Sequence, residues 1–317
     1  MEFKLIQLIQ QGSRVSFPAG SDHGVVLGIG DDAAIIKPDE GEFLVATTDT
    51  LNAGVHFPDD TLAYDIGYKS LAVNLSDLAA MGALPRWVLL SLSMPGSDPE
   101  WVADFAAGFR SLAQKYCVAL IGGDTTCGSL SINMTAIGTI KPGRQLLRSG
   151  AVAGDLIVVS GTVGGAARVL DLLREAAPGV DRRLLDRPAP RVELGQALTS
   201  FASSCIDVSD GLLADLGHLL EASKCGAKVL LENLPADDVL GGLDDKQRWD
   251  YQLCGGDDYE LLFTVPPEHK VKIADLRGSL KIELSIIGEV LGGHEIVCID
   301  PHGERFHPHK TGYQHFK

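Results

Sequence analysis

At 317 residues the chain exceeds the ~250–300 residues at which a single hydrophobic core stops growing, so two domains are expected. Apolar residues make up 45%, an ordinary globular share that excludes a disordered chain. Acids outnumber bases by 42 to 27, and the net charge of −15 argues against nucleic acid or an anionic membrane as the main partner. A phosphorylated ligand would also be repelled unless metal ions stood between it and the protein.

The opening Met1-Glu2-Phe3-Lys4 carries no apolar leader segment, and no run approaches the ~18 apolar residues of a membrane span. The cysteines at 117, 127, 205, 225, 254 and 298 form no C-x-x-C pair and fit no zinc spacing. They read as small buried residues of a reduced, cytoplasmic protein.

In chain order, residues 3–11 read as a short amphipathic helix. Apolar runs at 25–29 and 43–46 read as strands that stop at Gly30-Asp31-Asp32 and at Thr47-Thr48-Asp49. Leu62, Ile66, Leu71, Leu75 and Leu78 make a helical stripe over 62–81, with Gly82 as its C-terminal cap. A strand at 87–94 and a helix at 101–116, N-capped by Asp98, follow. Next come strands at 118–121, stopping at Gly122-Gly123-Asp124, and at 131–140. Polar turns around Pro142-Gly143-Arg144 and Arg148-Ser149-Gly150 place a domain boundary near 150, giving domains 1–150 and 151–317. The second half mixes a strand at 156–160, a helix at 211–223, and strands near 227–231, 261–265, 284–290 and 295–299. This mixed order predicts an α/β protein built of α+β layers rather than a doubly wound parallel sheet.

One feature repeats: an apolar run, one or two small residues, then an acid. It occurs at Asp31, Asp49, Asp124, Asp207 with Asp210, and Asp257 with Asp258, and Asp77 lies near the end of the first long helix. Each alone reads as a turn. Together they suit a hard cation that takes one or two carboxylates and completes its shell with water and substrate phosphates, as Mg²⁺ does. Several such ions would resolve the charge conflict.

Gly28-Ile29-Gly30-Asp31-Asp32-Ala33 fits the loose dinucleotide pattern, but its two acids would face a bare pyrophosphate, and there is no G-x-x-x-x-G-K-[ST] loop. Gly161-Thr162-Val163-Gly164-Gly165 reads as a phosphate cradle or, more simply, as a tight strand-to-helix turn. Arg148 is a candidate for a nucleotide phosphate or a plain surface arginine. His56 could donate to a substrate phosphate, and Tyr313 could cover a flat ring or tie down the tail. His302, His307 and His309 read as an exposed tail.

These residues resemble the thiamine-monophosphate kinase family of the aminoimidazole ribonucleotide synthetase superfamily. The resemblance runs through Gly28–Ala33, Thr48-Asp49-Thr50, His56-Phe57, Lys69–Gly82, Gly122–Thr126, Arg148-Ser149-Gly150, Asp207–Leu212, Gly255–Glu260 and Gly312-Tyr313 with His315-Phe316. It implies two α/β domains, the N-terminal one pairing with a second copy into a dimeric β-barrel, with ATP sites near the homodimer interface. It further implies metal ligands at Asp31, Thr47 or Thr48, Asp49, Asp77, Asp124, Asp207 and Asp210, and ATP contacts at Gly123, Asp124, Arg148 and Ser209. His56, Asp257 and Tyr313 would bind thiamine monophosphate. The family often has Glu at position 257, and the shorter acid here reaches less far; Asp258 or Glu260 could compensate. The nucleophile would be an already ionised phosphate oxygen, so direct in-line transfer from ATP, assisted by several Mg²⁺ ions, would need no general base. A synthetase of the same superfamily, a two-metal phosphohydrolase and a nucleotide-binding regulator are the competing readings.

Overall fold

The computed structural model describes residues 2–17, 23–310 and 312–313. His315 and Phe316 of the terminal motif lie outside the described residues. The chain forms two compact units: Met1–Leu78 with Ala83–Gly143, and Ala79–Gly82 with Arg144–Lys317. The segment before residue 150 therefore belongs to the second unit. Its backbone explains why: Leu146 N–H donates to the Met81 carbonyl (3.0 Å), Cys205 N–H to the Leu147 carbonyl (2.8 Å), and the Ser223 hydroxyl to the Arg148 carbonyl (3.1 Å).

The first unit runs α1 (Glu2–Gly12), β1 (Val25–Leu27), β2 (Ile35–Ile36), β3 (Phe43–Asn52), α2 (Ala63–Ala80), β4 (Leu84–Met94), α3 (Pro99–Tyr116), β5 (Ala119–Cys127) and β6 (Ser131–Ile140). Its main sheet has the order β3-β6-β4-β5, and only β4 and β5 are parallel. Strands β3 and β5 continue past the expected stops. Thr47, Thr48 and Asp49 lie inside β3, and Gly122, Gly123 and Asp124 inside β5. β-Branched threonines suit a pleated strand, and an edge strand tolerates an exposed acid such as Asp124.

Helix α3 starts as its sequence predicts. The Asp98 carboxylate accepts from the amides of Glu100 (3.0 Å) and Trp101 (3.1 Å), and Pro99 opens the first turn. Helix α2 departs from a one-sided stripe. Leu62 lies outside it and is exposed, while Ile66, Leu71, Val73, Leu75 and Leu78 are buried together with Lys69, Ser70, Asn74 and Ser76. A helix covered on all sides must answer its polar groups within the fold. Ser70 Oγ donates to the Ile66 carbonyl (2.6 Å), Asn74 Nδ2 to the Ser70 carbonyl (3.0 Å), and Lys69 Nζ to the His56 carbonyl (3.2 Å). Two glycines let α2 and α3 touch backbone to backbone. A methyl at Gly67 would stand 2.0 Å from the Phe105 carbonyl oxygen, and one at Gly108 would stand 1.8 Å from that of Tyr64.

The second unit runs β7 (Leu156–Ser160), α4 (Gly165–Arg174), α5 (Arg183–Asp186), α6 (Val192–Leu198), β8 (Ser204–Asp207), α7 (Leu212–Ser223), β9 (Gly226–Leu230), α8 (Asp245–Cys254), β10 (Leu261–Val265), α9 (Lys270–Leu280), β11 (Leu284–Leu291), β12 (Ile296–Ile299) and β13 (Arg305–Phe306). Its sheet has the order β13-β12-β9-β11-β7-β10-β8, parallel only between β9 and β12. Both units thus carry mixed, mainly antiparallel sheets with helices, the α/β architecture expected in place of a doubly wound sheet. Leucines of α7 pack with Trp249 and Leu253 of α8 and with Ile206, Leu262, Ile287 and Val290 of the sheet to form this unit's core.

Gly67→Ala and Gly108→Ala should each destabilise the protein by ~1–3 kcal/mol through overpacking at the helix crossing. Gly278→Ala in α9, where a methyl meets nothing within 4 Å, should instead be neutral or stabilise by up to ~1 kcal/mol. Urea unfolding midpoints of the three variants check both directions.

Candidate functional site

In the first unit the two-residue period of β3 sorts its polar side chains. Thr47 and Asp49 point to the helix-covered face, and Thr48 and Thr50 to the other. Thr47 Oγ1 donates to Asp77 Oδ2 of α2 at 2.5 Å. Burial and then the charge of Asp77 push the Asp49 carboxyl up to about 6. Thr47, Asp49 and Asp77 are therefore one group. Thr48 stands apart from them, its hydroxyl meeting the Met134 carbonyl and the Thr135 hydroxyl, both at 3.1 Å. Two acids gathered in a partly dry place, one holding its proton more tightly, are a donor set that fits a hard cation.

The sheet register keeps the remaining acids elsewhere. Asp49 is paired with Met134, Met134 with Leu90, and Leu90 with Gly123. Asp124, one residue on, faces the opposite side in a row with Thr50, Asn133 and Ser91. Asp49 and Asp124 thus lie on opposite edges and opposite faces of one sheet. Gly123 has φ +152°, and a methyl there would stand 1.8 Å from the Leu90 carbonyl oxygen, so only glycine fits beside Asp124. Asp31 is exposed in the β1–β2 loop, where Oδ1 accepts from the Asp32 amide (2.9 Å). His56 is half-buried, and its Nδ1 accepts from the Asn52 amide (3.0 Å), which leaves Nε2 as the donor of the neutral ring.

In the second unit, residues far apart in the chain converge. Strands β8 and β10 pair with Asp207 opposite Leu261. Beyond the strand ends the two loops stay joined. Val208 N–H donates to the Glu260 carbonyl (2.8 Å), Tyr259 N–H to the Val208 carbonyl (2.8 Å), and Asp257 N–H to the Ser209 carbonyl (2.9 Å). Tyr313 N–H donates to the Asp210 carbonyl (2.9 Å). Asp207, Ser209, Asp210, Asp257 and Tyr313 are thereby gathered at one edge. Arg148 is exposed, and its carbonyl is tied to Ser223 as above.

Three residues support the candidate residues of the two units without having been singled out by sequence, Lys69 in the first and Asp215 and Arg191 in the second. Asp215, buried in the first turn of α7, accepts with Oδ2 from the amides of Ser209 (2.9 Å), Asp210 (3.1 Å) and Gly211 (3.2 Å), so it fixes the acid loop from beneath. Burial and then the Asp210 charge push its carboxyl up to about 6, against those three amides. Lys69 holds the His56 backbone, and Arg191 holds Glu260. A lone acid among leucines in Leu212–Leu220 is the one sequence signal that could have found Asp215: such a residue needs a buried partner.

Asp258 and Glu260, the two acids that could compensate for the shorter Asp257, both have partners inside the second unit. Asp258 Oδ2 accepts from the Gly164 amide (2.7 Å) at the start of α4, and burial pushes its carboxyl well above the usual range. Glu260 accepts from Ser160 Oγ (2.5 Å) and Arg191 Nε (2.6 Å). The Gly161–Gly165 turn is thus a strand-to-helix turn whose Gly164 amide is met by an internal acid. Among the described residues no three His, Cys, Asp or Glu side chains form a ready metal cage. Mg²⁺, which keeps its waters and takes one or two carboxylates, does not require one.

The family models "AIR synthase related protein, N-terminal domain" and "AIR synthase related protein, C-terminal domain" match residues 30–140 and 152–300. The thiamine-monophosphate kinase of Escherichia coli strain K12 is 43% identical over 300 residues, covering 92% of each chain. The crystal structure of thiamine-monophosphate kinase from Stenotrophomonas maltophilia K279a is 44% identical, with TM-score 0.87, covering 96% of this chain and 98% of that one. A structure titled AaThiL complexed with AMPPCP and TMP is 30% identical, with TM-score 0.76, covering 99% and 97%.

Asp215→Ala strands three amides and should destabilise the protein by ~1–3 kcal/mol, measured as a lower thermal midpoint, whereas Asp215→Asn keeps an acceptor and should avoid most of that loss.

Proposed function

The chain belongs to the AIR synthase related family and, within it, to the thiamine-monophosphate kinases, and on that premise we propose how its residues carry the phosphoryl transfer. The reaction is the ATP-dependent phosphorylation of thiamine monophosphate to thiamine diphosphate. The observation that carries the reading is the Thr47–Asp49–Asp77 group in one unit and the laced Asp207–Asp210–Asp257–Tyr313 edge in the other. They supply acids for cations and a separate surface for an organic ring.

Asp49 and Asp77, with Thr47, and Asp207 with Asp210 are the residues that would hold Mg²⁺; Asp31, Thr48 and Asp124 are assigned to the same role on sequence alone. Mg²⁺ held by these residues would supply charge neutralisation for the phosphates. Gly123, Asp124, Arg148 and Ser209 are assigned to ATP. Gly123 offers a backbone with no side chain in the way, and Arg148 a guanidinium fork matched to phosphate oxygens. His56 donates through Nε2 to the substrate phosphate, and Tyr313 covers a ring. The attacking oxygen is ionised at neutral pH, so no side chain has to take a proton. Transfer is direct and in line, and the protein's part is positioning and water exclusion.

We assign the ATP/Mg²⁺ role and dimerisation mainly to the first unit, and the α/β partner domain to the second, which takes in 144–150. A homodimer is supported by β3, an edge strand paired on one side only within the sheet, with Phe43 58% and Leu44 52% exposed. The separation of Asp49 from Asp124 across one sheet argues the same way, since a second copy set edge to edge would enlarge the sheet toward a barrel. Six free thiols suit a reducing, cytoplasmic setting. No helix among the described residues is long and apolar enough to cross a membrane.

Purified protein with ATP, Mg²⁺ and thiamine monophosphate should form thiamine diphosphate and ADP one for one, read by chromatography; ADP and free phosphate alone would replace the kinase with a hydrolase. Asp77→Asn and Asp210→Asn each remove a carboxylate worth several kcal/mol to the transition state, so kcat should fall at least ~100-fold with an unchanged unfolding midpoint. Phe43→Glu should shift the light-scattering mass from dimer to monomer.

A further inference from the structure

The segment that carries Arg148 is held by a side chain from the C-terminal end of helix α7. The Ser223 hydroxyl donates to the Arg148 carbonyl (3.1 Å) and accepts from the Ala151 amide (3.1 Å). In a closed four-residue turn the first carbonyl meets the fourth amide directly. Here one hydroxyl stands between the two and joins them. The flanks of the segment are pinned as well. The Leu147 carbonyl accepts from the Cys205 amide (2.8 Å), and the Ala151 carbonyl from the Cys225 thiol (3.3 Å). Gly150 has φ +121°, and a methyl there would stand 2.3 Å from the Ser203 carbonyl oxygen. Only glycine lets the chain pass so close before Ala151 turns into the core.

The hydroxyl is itself held in place. Ser223 is the last residue of α7, and the chain leaves the helix through Lys224, left-handed at φ +58°. The Lys224 amide donates to the Glu221 carbonyl (3.2 Å) and the Cys225 amide to the Leu220 carbonyl (3.0 Å), the paired bonds of a Schellman end. Leu216, Leu219 and Leu220 fasten the same end of the helix into the core. At its other end α7 carries Asp215, which holds the amides of Ser209 and Asp210. One rigid element thus supports both Ser209 and Arg148, the two residues of this unit assigned to ATP. A guanidinium grips phosphate oxygens through a planar fork, so its alignment depends on the backbone that carries it. An arginine already loses rotamer freedom when it closes on a ligand, and a drifting backbone would add to that cost. We infer that Ser223 is a positioning residue for the nucleotide, whose hydroxyl holds the Arg148 backbone so that the guanidinium meets a phosphate of ATP. The inference rests on the assignment of Arg148 to ATP made above and adds to it a residue that touches no ligand.

Ser223→Ala deletes one oxygen from a half-buried helix end and leaves the core untouched. With wild-type turnover established, losing both hydrogen bonds of that hydroxyl should raise KM for ATP roughly fivefold. KM for thiamine monophosphate should stay at its wild-type value. Ser223→Thr keeps a hydroxyl and should return KM for ATP to near wild type. Arg148→Ala should raise KM for ATP at least as much as Ser223→Ala does. The double variant Ser223→Ala/Arg148→Ala should be no worse than Arg148→Ala alone, because the serine acts through the arginine. A serine with a purely structural part would lower the thermal midpoint and leave KM for ATP unchanged. That result, beside an impaired Arg148→Ala, overturns the inference and leaves the kinase reading intact. Effects of the two substitutions that multiply in the double variant overturn it too, since the residues would then act independently. An unchanged KM for ATP in Arg148→Ala removes the assignment of Arg148 and the inference with it. Wild-type protein inert toward thiamine monophosphate removes the kinase reading itself.

Discussion

The pairing of β8 with β10 does not end where the strands end, and most of the second unit's chemistry depends on that. Antiparallel neighbours normally part at their last ladder bond. Here the amides of Val208, Tyr259 and Asp257 carry the contact on into two loops that would otherwise be independent. The acids of 207–210 and of 257 are thereby held in one frame, and the Tyr313 amide adds the end of the described chain to it. The frame is supported from below by Asp215, one oxygen of which gathers three successive amides. Positions set by backbone bonds move less than positions set by side chains, which is what a reaction governed by alignment asks of its protein.

The first unit solves a different problem, which is to keep acids close together. Asp77 rides on a largely buried helix, near enough to Asp49 for its charge to be felt there. Thr47 satisfies one of its oxygens, and the Asp49 carboxyl responds by holding its proton more tightly. In the function proposed above, closely held carboxylates are the means by which a negatively charged protein would draw cations to two phosphorylated reactants.

The repeated acids, the mixed strand and helix order and the Asp98 cap were legible because each rests on a local pattern. What was not legible depends on partners distant in sequence. Strand β3 reads as ending at Ala46, since apolar runs mark only the buried part of a strand. The edge position that lets Thr47, Thr48 and Asp49 continue it is a property of the sheet. The same continuation separates Thr47 from Thr48, two neighbours that spacing alone could not tell apart. The boundary near 150 was displaced because Arg144–Gly150 reads as a turn, yet its carbonyls bond to Cys205 and Ser223. Helix α8 escaped notice although its Asp244 and Gln247 form a capping box, a signal that short polar helices do carry.

The start of α4 shows what it means for a fold to answer its own polarity. The amide of Gly164 at that helix end meets the Asp258 carboxylate, which this same chain supplies. A helix terminus of this kind is the commonest place for a protein to acquire affinity for an anion by chance, and here the opportunity has been closed from within. Sulfate or free phosphate in solution finds that terminus taken, so the second unit gains no stray anion affinity there. Any attempt to graft a phosphate pocket onto α4 would first have to evict an acid that the loop below uses as its anchor.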